Sequence, residues 1–284
     1  LRGLSDLLLG NNGMRQTIFI TGASSGIGLA TAKLFQAKGW NVVATMRKPE
    51  KAGNLAGLAN MLITRLDVTD TGRIEGAIDA GLKRFGQIDA LLNNAGYGAY
   101  GTLENFSDER IRRQFDTNVI GLLLVTRAIL PHMRERRSGT IVNVSSIGGQ
   151  VTFPLGTLYH GTKFAVEGLS EALHFELASV GIRMKIIEPG MIATDFAGRS
   201  FDFANDPEID EYKDIVSKVK RAFRDNRVPP SPAELVAKVI FGAVSDGTGR
   251  LRYRAGDDAH ALLDYRKDVD DDIFFAGIRA QFGL

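Results

Sequence analysis

Thr17–Ile20 is a β-branched run that passes without a spacer into Thr21-Gly22-Ala23-Ser24-Ser25-Gly26-Ile27-Gly28. The stretch from Gly26 to Lys38 then sets Ile27, Ala30, Leu34 and Phe35 on one helical face. A strand, a glycine turn and a helix in immediate succession fit few architectures. Glycine permits the tight turn and close approach of the backbone to a ligand, and the helix that follows presents unpaired N–H groups and a positive dipole end. The spacing G-x3-G-x-G of Gly22, Gly26 and Gly28 is therefore read as a cradle for the pyrophosphate of a dinucleotide.

The rest of the chain continues the pattern. Strand-like runs at Asn41–Thr45, Met61–Leu66, Ile88–Leu92, Thr140–Val144 and Arg183–Ile187 alternate with helical stretches at about 71–85, 107–132 and 159–180. Several of these runs are continuously apolar, which predicts burial on both faces and a parallel, doubly wound α/β sheet with right-handed crossovers. With 284 residues, 44% of them hydrophobic, one large domain over 14–284 is expected. Residues 1–13 read as an N-terminal arm or a cloning remnant, and 195–230, rich in Phe and without an obvious strand, as a helical substrate lid. Ser231 is expected to cap a helix over 231–244, with Pro232 in its first turn. Leu251–Arg254 reads as a last strand and 257–282 as a closing helical region.

An NAD site usually carries an Asp or Glu at the end of the second strand to bind the ribose hydroxyls. Here the strand ends Thr45-Met46-Arg47-Lys48. Arg47 offers a cation to a 2′-phosphate instead, with a hydroxyl from Ser24, so NADP is the expected cofactor and NAD the second choice.

Tyr159 and Lys163 are four residues apart on a predicted helix and share a face. A nearby ammonium favours the phenolate, so the spacing predicts a tyrosine of lowered pKa that acts as acid in carbonyl reduction and base in alcohol oxidation. Ser146, just after the fifth strand, offers a hydroxyl to orient the substrate oxygen.

These segments resemble the short-chain dehydrogenase/reductase family. Thr21 to Gly28 looks like its cofactor motif, Asn93-Asn94-Ala95-Gly96 like its segment after the fourth strand, and Pro189-Gly190 with Thr194 like its nicotinamide-side motif. Asn118, Ser146, Tyr159 and Lys163 fall where its catalytic tetrad would. The resemblance implies a Rossmann-like, seven-stranded sheet. It also implies that the turn from Gly22 through Ser24, Ser25, Gly26 and Ile27 to Gly28 binds the cofactor. Asp67 and Val68 would meet the adenine, Asn94, Ala95 and Gly96 would wall the adenosine, and Thr194 would contact the carboxamide. Lys163 would bind the nicotinamide ribose, and Asn118 would hold Lys163 through water. The family's Ser-to-Tyr spacing selects Ser146 over Ser145. A further resemblance, to the hydroxysteroid and retinol dehydrogenase-like branch, rests on Thr45-Met46-Arg47 and the long C-terminus.

Tyr97, Phe153, Leu155 and Phe196 are the expected substrate wall, and their character favours an apolar ketone or secondary alcohol. Lys plus Arg is 35 against 33 for Asp plus Glu, a balance that gives no reason to invoke nucleic acid or an anionic membrane. Cysteine is absent, which excludes disulfides, thiolate catalysis and Cys-based zinc sites and permits a cytoplasmic location. The four histidines form no close metal-binding pair, and no metal or membrane span is expected. The long helices at 107–132 and 159–180 suit a homodimer or homotetramer. The alternative to an enzyme is a non-catalytic NADP-binding regulator of the same fold, against which the intact Ser146, Tyr159 and Lys163 speak.

Overall fold

Continuous apolar runs at Thr17–Ile20 and its counterparts become strands covered on both faces. The computed structural model describes residues 15–194, 200–204, 209–225 and 228–284; the expectations for residues 1–13 and for Phe196 lie outside them. Strands β1 (Thr17–Ile20), β2 (Asn41–Met46), β3 (Met61–Arg65), β4 (Ala90–Asn93), β5 (Gly139–Val144), β6 (Ile182–Pro189) and β7 (Arg252–Ala255) form one parallel seven-stranded sheet. Its order is β7-β6-β5-β4-β1-β2-β3, with Ile18 level with Val42 on one side and Ala90 on the other.

The helices are α1 (Gly26–Ala37), α2 (Thr71–Phe85), α3 (Asp108–Phe115), α4 (Gly121–Arg136), α5 (Thr157–Ala178), α6 (Lys213–Arg224), α7 (Ala233–Ser245), α8 (Asp257–Asp268) and α9 (Asp271–Phe282). Ile18 and Ile20 enter a core with Phe35 of α1 and Ile240 of α7. Phe19, between them, enters a second core with Ile74 of α2 and Ile129 of α4. The two-residue period of the strand thus feeds both layers, and each fully buried side chain of this size contributes about 1.5–3 kcal/mol.

The strand order reverses between β1 and β4, and ligands of such sheets bind outside the carboxyl ends of the strands at that point. The glycine turn follows β1, Asn94 to Gly96 follow β4, Ser145 and Ser146 follow β5, and Gly190 follows β6. One edge of the sheet therefore gathers segments that are far apart in sequence.

Three local expectations are corrected, and a fourth, the closing helical region, is resolved into its parts. The helix read over 107–132 begins as expected, with Ser107 Oγ accepting from the Arg110 N–H, but a π turn at Asp116–Ile120 divides it. The helix read from Ser231 starts at Ala233 with Pro232 at its cap position, because the Ser231 N–H is committed to the Met191 carbonyl, 2.9 Å away, in a short parallel pairing. The region 195–230 contains a strand, Phe201–Ala204, which lies parallel to Gly98–Gly101. Its apolar alternation is too short to show as a period, and only pairing with a distant partner makes it a strand. The closing region is two helices, α8 and α9, and Asp270 caps the second by accepting from the Ile273 N–H.

Candidate active site

The glycine turn is held by its neighbours on β2 and β4. The Thr21 N–H donates to the Leu92 carbonyl at 3.0 Å, and the Ala23 N–H to the Thr45 carbonyl at 2.9 Å. Thr21 Oγ1 accepts from the N–H groups of Asn94 and Ala95, both at 3.0 Å. Asn94 Nδ2 donates to the carbonyls of Thr21 and Gly22 at 3.0 and 3.1 Å, so this side chain braces the turn from behind. A Cβ at Gly28 would lie 2.4 Å from the Gly22 oxygen, and Gly26, at φ +53°, would place one 3.3 Å from Thr194. Glycine is thus required at Gly28 by contact and at Gly26 by conformation. Helix α1 starts here with Ser25 at its cap position, no side-chain cap bond and no acidic residue in its first turn. No carboxylate of its first turn neutralises the positive end of the helix, a setting suited to an anion such as a pyrophosphate.

The remaining cofactor-side residues converge on the same edge. Arg47 and Lys48 are exposed just beyond β2. Asp67 follows β3, but it does not cap α2: Asp70 does, accepting from the Arg73 N–H, while Asp67 Oδ1 accepts from the backbone and hydroxyl of Thr69. Val68 is buried and would collide with any Cβ at Gly121, at 2.7 Å. Pro189 ends β6. Gly190 leaves no room for a side chain, since a Cβ there would lie 2.2 Å from the Asp258 carboxylate, and its N–H donates to the Ala255 carbonyl at 3.0 Å.

The four residues of the expected tetrad come together. Ser146 lies beside Tyr159 and favours its phenolate. Lys163 lies one turn further along α5, its Nζ 5.8 Å from the Tyr159 ring centre and donating to the Val144 carbonyl at 2.9 Å. Asn118 sits in the π turn, a feature frequent at functional sites. Its Nδ2 donates to the Tyr97 carbonyl at 2.8 Å and to Thr162 Oγ1 at 3.1 Å, and its Oδ1 accepts from the Tyr97 N–H at 3.0 Å. Asn118 thereby ties the loop after β4 to the helix that carries Tyr159 and Lys163.

The electrostatics differ from the expectation of a lowered phenol. Burial pushes Tyr159 above its ordinary value, opposed by the Ser146 hydrogen bond. Burial pushes Lys163 down to about 8, opposed by the nearby Glu167. Each group is penalised for carrying charge in a poorly solvated site, and this desolvation outweighs the attraction inferred from their spacing.

Two buried carboxylates behind the site carry no strong sequence signal. Glu167 follows Lys163 by one turn, and Glu188 precedes Pro189; both face Arg252 of β7, whose nitrogens lie 3.0 and 3.4 Å from them. Gln150 Nε2 donates to Glu188. Burial, reinforced by Glu167, pushes Glu188 up to about 7 against the pull of Arg252. A carboxyl whose value is raised on folding adds stability that is fully present below its unfolded value and is lost as pH rises through the folded one. Glu188→Gln should remove that loss. Its stability relative to the native chain should rise by about 1–3 kcal/mol between about pH 5 and about pH 8, measured by urea unfolding. A difference that stays flat across that window would contradict the raised value.

A run of rings lies beside Tyr159. Tyr100 packs 5.5 Å from Tyr159 and 5.2 Å from Phe201, centre to centre, with Phe223 at 6.3 Å. Phe153 lies 6.2 Å from Phe282, which is 5.7 Å from Phe223. Leu155 is buried at φ +64° and its carbonyl accepts from the Gly101 N–H at 2.8 Å. Tyr97 faces outward, with its hydroxyl bonded to Arg113, which also pairs with Asp202 beside Arg110. The packing of Phe282 of the closing helix on Phe153 was not legible, because nothing local in the sequence places the C-terminus there.

The model of the short chain dehydrogenase family matches residues 16–205. An oxidoreductase of Schizosaccharomyces pombe is 43% identical over 244 residues, 84% of this chain and 100% of that protein. Among solved structures, a short-chain dehydrogenase from Streptomyces avermitilis is 36% identical, with a TM-score of 0.80 over 89% of this chain and 93% of its own. A 3-ketoacyl-(acyl-carrier-protein) reductase from Brucella melitensis, complexed with NADH, is 27% identical, with a TM-score of 0.71 over 86% of this chain and 98% of its own. The chain belongs to the short-chain dehydrogenase/reductase family. It is an NAD(P)-dependent oxidoreductase with a Rossmann-like fold, and among its described residues no helix is long and apolar enough to cross a membrane.

Proposed function

We propose that the chain transfers a hydride between NADP(H) and the carbonyl or secondary alcohol of an apolar substrate, with Tyr159 as general acid and base. The observation that carries this reading is the meeting of Tyr159 with Ser146, with Lys163 one turn along the same helix and the glycine turn on the same sheet edge. A bound nicotinamide supplies or accepts the hydride. In reduction, Tyr159 Oη gives its proton to the substrate oxygen as the C–H bond forms, while Ser146 Oγ donates a hydrogen bond to that oxygen and orients it. In oxidation the same phenol, once deprotonated, takes the alcohol proton. Lys163 holds the ribose beside it, and Asn118 fixes the helix turn on which both stand. The ring-lined wall of Tyr100, Phe153, Phe201 and Phe282 excludes water and favours an apolar substrate. The stretch 195–230 serves as its lid. A panel of aliphatic, aromatic and polycyclic ketones, followed at the nicotinamide absorbance band, tests the reading. Cofactor binding without turnover on any of them would favour the regulatory alternative.

Arg47 supports the phosphorylated cofactor, since it is exposed at the point where a ribose-binding carboxylate would stand. Arg47→Asp is expected to weaken NADPH binding by about 10- to 100-fold, the equivalent of one or two charge-assisted hydrogen bonds, and to leave NADH binding equal or tighter. Tighter binding of NADH than NADPH by the native chain would reverse the assignment.

Phe164 and Phe175 of α5 are 45% and 77% exposed and lie about three helical turns apart on one side, and Ile120 beside α4 is 46% exposed. Such a stripe favours pairing of these helices in a homodimer or homotetramer. Light scattering should give two or four chain masses, and a monomer at micromolar concentration would contradict it.

A further inference from the structure

His160 directly follows Tyr159 on the same helix and is buried to 3% exposure. Its ring nitrogens are both engaged by one loop. Nδ1 lies 2.9 Å from the Gly148 carbonyl, and Nε2 accepts from the Phe153 N–H at 3.0 Å. A carbonyl can only accept and an N–H can only donate, so the imidazole is neutral with its proton on Nδ1. Burial also pushes His160 below the ordinary histidine value, opposed by the Gly148 carbonyl, and so favours the neutral ring.

The loop it grips is the one that carries Ser146. The Gly148 N–H donates to Ser146 Oγ at 3.0 Å. Gly148 is therefore bonded through its N–H to Ser146 and through its carbonyl to His160. A serine hydroxyl that accepts from Gly148 directs its own proton elsewhere, toward Tyr159 and the substrate oxygen. The fit around the ring is close: a Cβ at Gly156 would lie 2.3 Å from His160 Cδ2, and one at Gly148 would lie 2.9 Å from Nδ1. The His160 ring also packs 5.6 Å from Phe153 and 6.0 Å from Tyr100, centre to centre.

We infer that His160 is a positioning residue: its imidazole staples the Ser146–Phe153 loop, through Gly148 and Phe153, to the helix bearing Tyr159, and so sets the direction in which Ser146 donates. The inference rests on the hydride-transfer reading above, because that reading gives Ser146 its task.

The test is a double-mutant cycle between His160 and Ser146. His160→Phe keeps the ring and removes both bonds. It should lower kcat by about 10- to 100-fold, as for a reacting group misplaced by about an ångström, with cofactor affinity changed less than about twofold. In a Ser146→Ala background the same change should cost almost nothing, because its effect passes through Ser146. His160→Asn, which retains a donor near Gly148, should recover part of the loss. An equal loss in both backgrounds, or a loss of cofactor binding, would make His160 a general packing residue and overturn the inference. Two readouts need no turnover. Imidazole nitrogen NMR should show the neutral Nδ1–H tautomer near pH 7, and the Phe153 amide should lose exchange protection in His160→Phe. The opposite tautomer, or unchanged protection, counts against the staple. If Ser146→Ala alone leaves activity intact, the hydride-transfer reading of Ser146 fails while these two measurements still decide the staple.

Discussion

Tyr159→Phe is expected to abolish turnover, by a factor on the order of 10³ or more, while NADP(H) still binds. The substitution removes one oxygen and keeps the ring that packs against Tyr100 at 5.5 Å. It therefore deletes the proton donor with little change in packing, and general acid–base catalysis of this kind is worth about 10²–10⁴ in rate. Steady-state kinetics and a cofactor titration on the same preparation check it. An active phenylalanine variant would mean that another group delivers the proton. The pH dependence carries a second sign. Burial holds Tyr159 above its ordinary value, so at neutral pH it is protonated and ready to act as an acid. Alcohol oxidation needs the phenolate and should gain rate toward alkaline pH, whereas ketone reduction should not. Lys163, pushed down to about 8, begins to lose its charge in the same range and limits how far that gain can run.

Gly28→Ala should weaken dinucleotide binding by about 10- to 100-fold and lower the melting temperature, although the new side chain is a single methyl. A Cβ there would lie 2.4 Å from the Gly22 oxygen and 2.6 Å from Asn94 Nδ2, and both atoms belong to the brace of the turn. The Gly22 oxygen is backbone and the Asn94 amide is pinned by two hydrogen bonds, so the backbone itself must shift, and overpacking of this sort costs about 1–3 kcal/mol. The cost falls on the segment proposed to meet the pyrophosphate. Gly242→Ala is the matched control. It lies in α7, is exposed and has nothing within 4 Å of the added carbon. It should be neutral or stabilising by up to about 1 kcal/mol. Calorimetric titration with NADPH and thermal unfolding of both variants separate the two cases. Equal behaviour of the pair would mean that the turn tolerates a side chain.

Much of this protein could be read before any coordinates. The alternation of apolar runs and helical faces gives the parallel sheet, since a strand buried on both sides needs no polar alternation and a helix needs one apolar stripe. The glycine spacing, Tyr159 with Lys163, and Ser146 after β5 were legible because their chemistry depends on residue type and local spacing. The parts that were not legible depend on contacts between distant segments. Phe201–Ala204 is a strand only because Gly98–Gly101 lies beside it. The division of the helix at Asn118 puts its amide on Tyr97 and Thr162, which no periodicity announces. The Tyr159 shift runs opposite to the direction its spacing from Lys163 predicts, for the same reason. Spacing on a helix shows which charge is near, but burial by the rest of the fold decides how costly any charge is. His160 carried no sequence signal beyond its place next to Tyr159, and its two bonds arise from a loop that folds back over α5. The sequence alone determined the sheet, the glycine turn and the spacing of Tyr159 and Lys163, because these follow from local propensity and chemical type. Tertiary structure decided which rings stand beside Tyr159, what holds the loop of Ser146 and how far burial shifts each titrating group, because solvation and long-range contact exist only once the chain is packed.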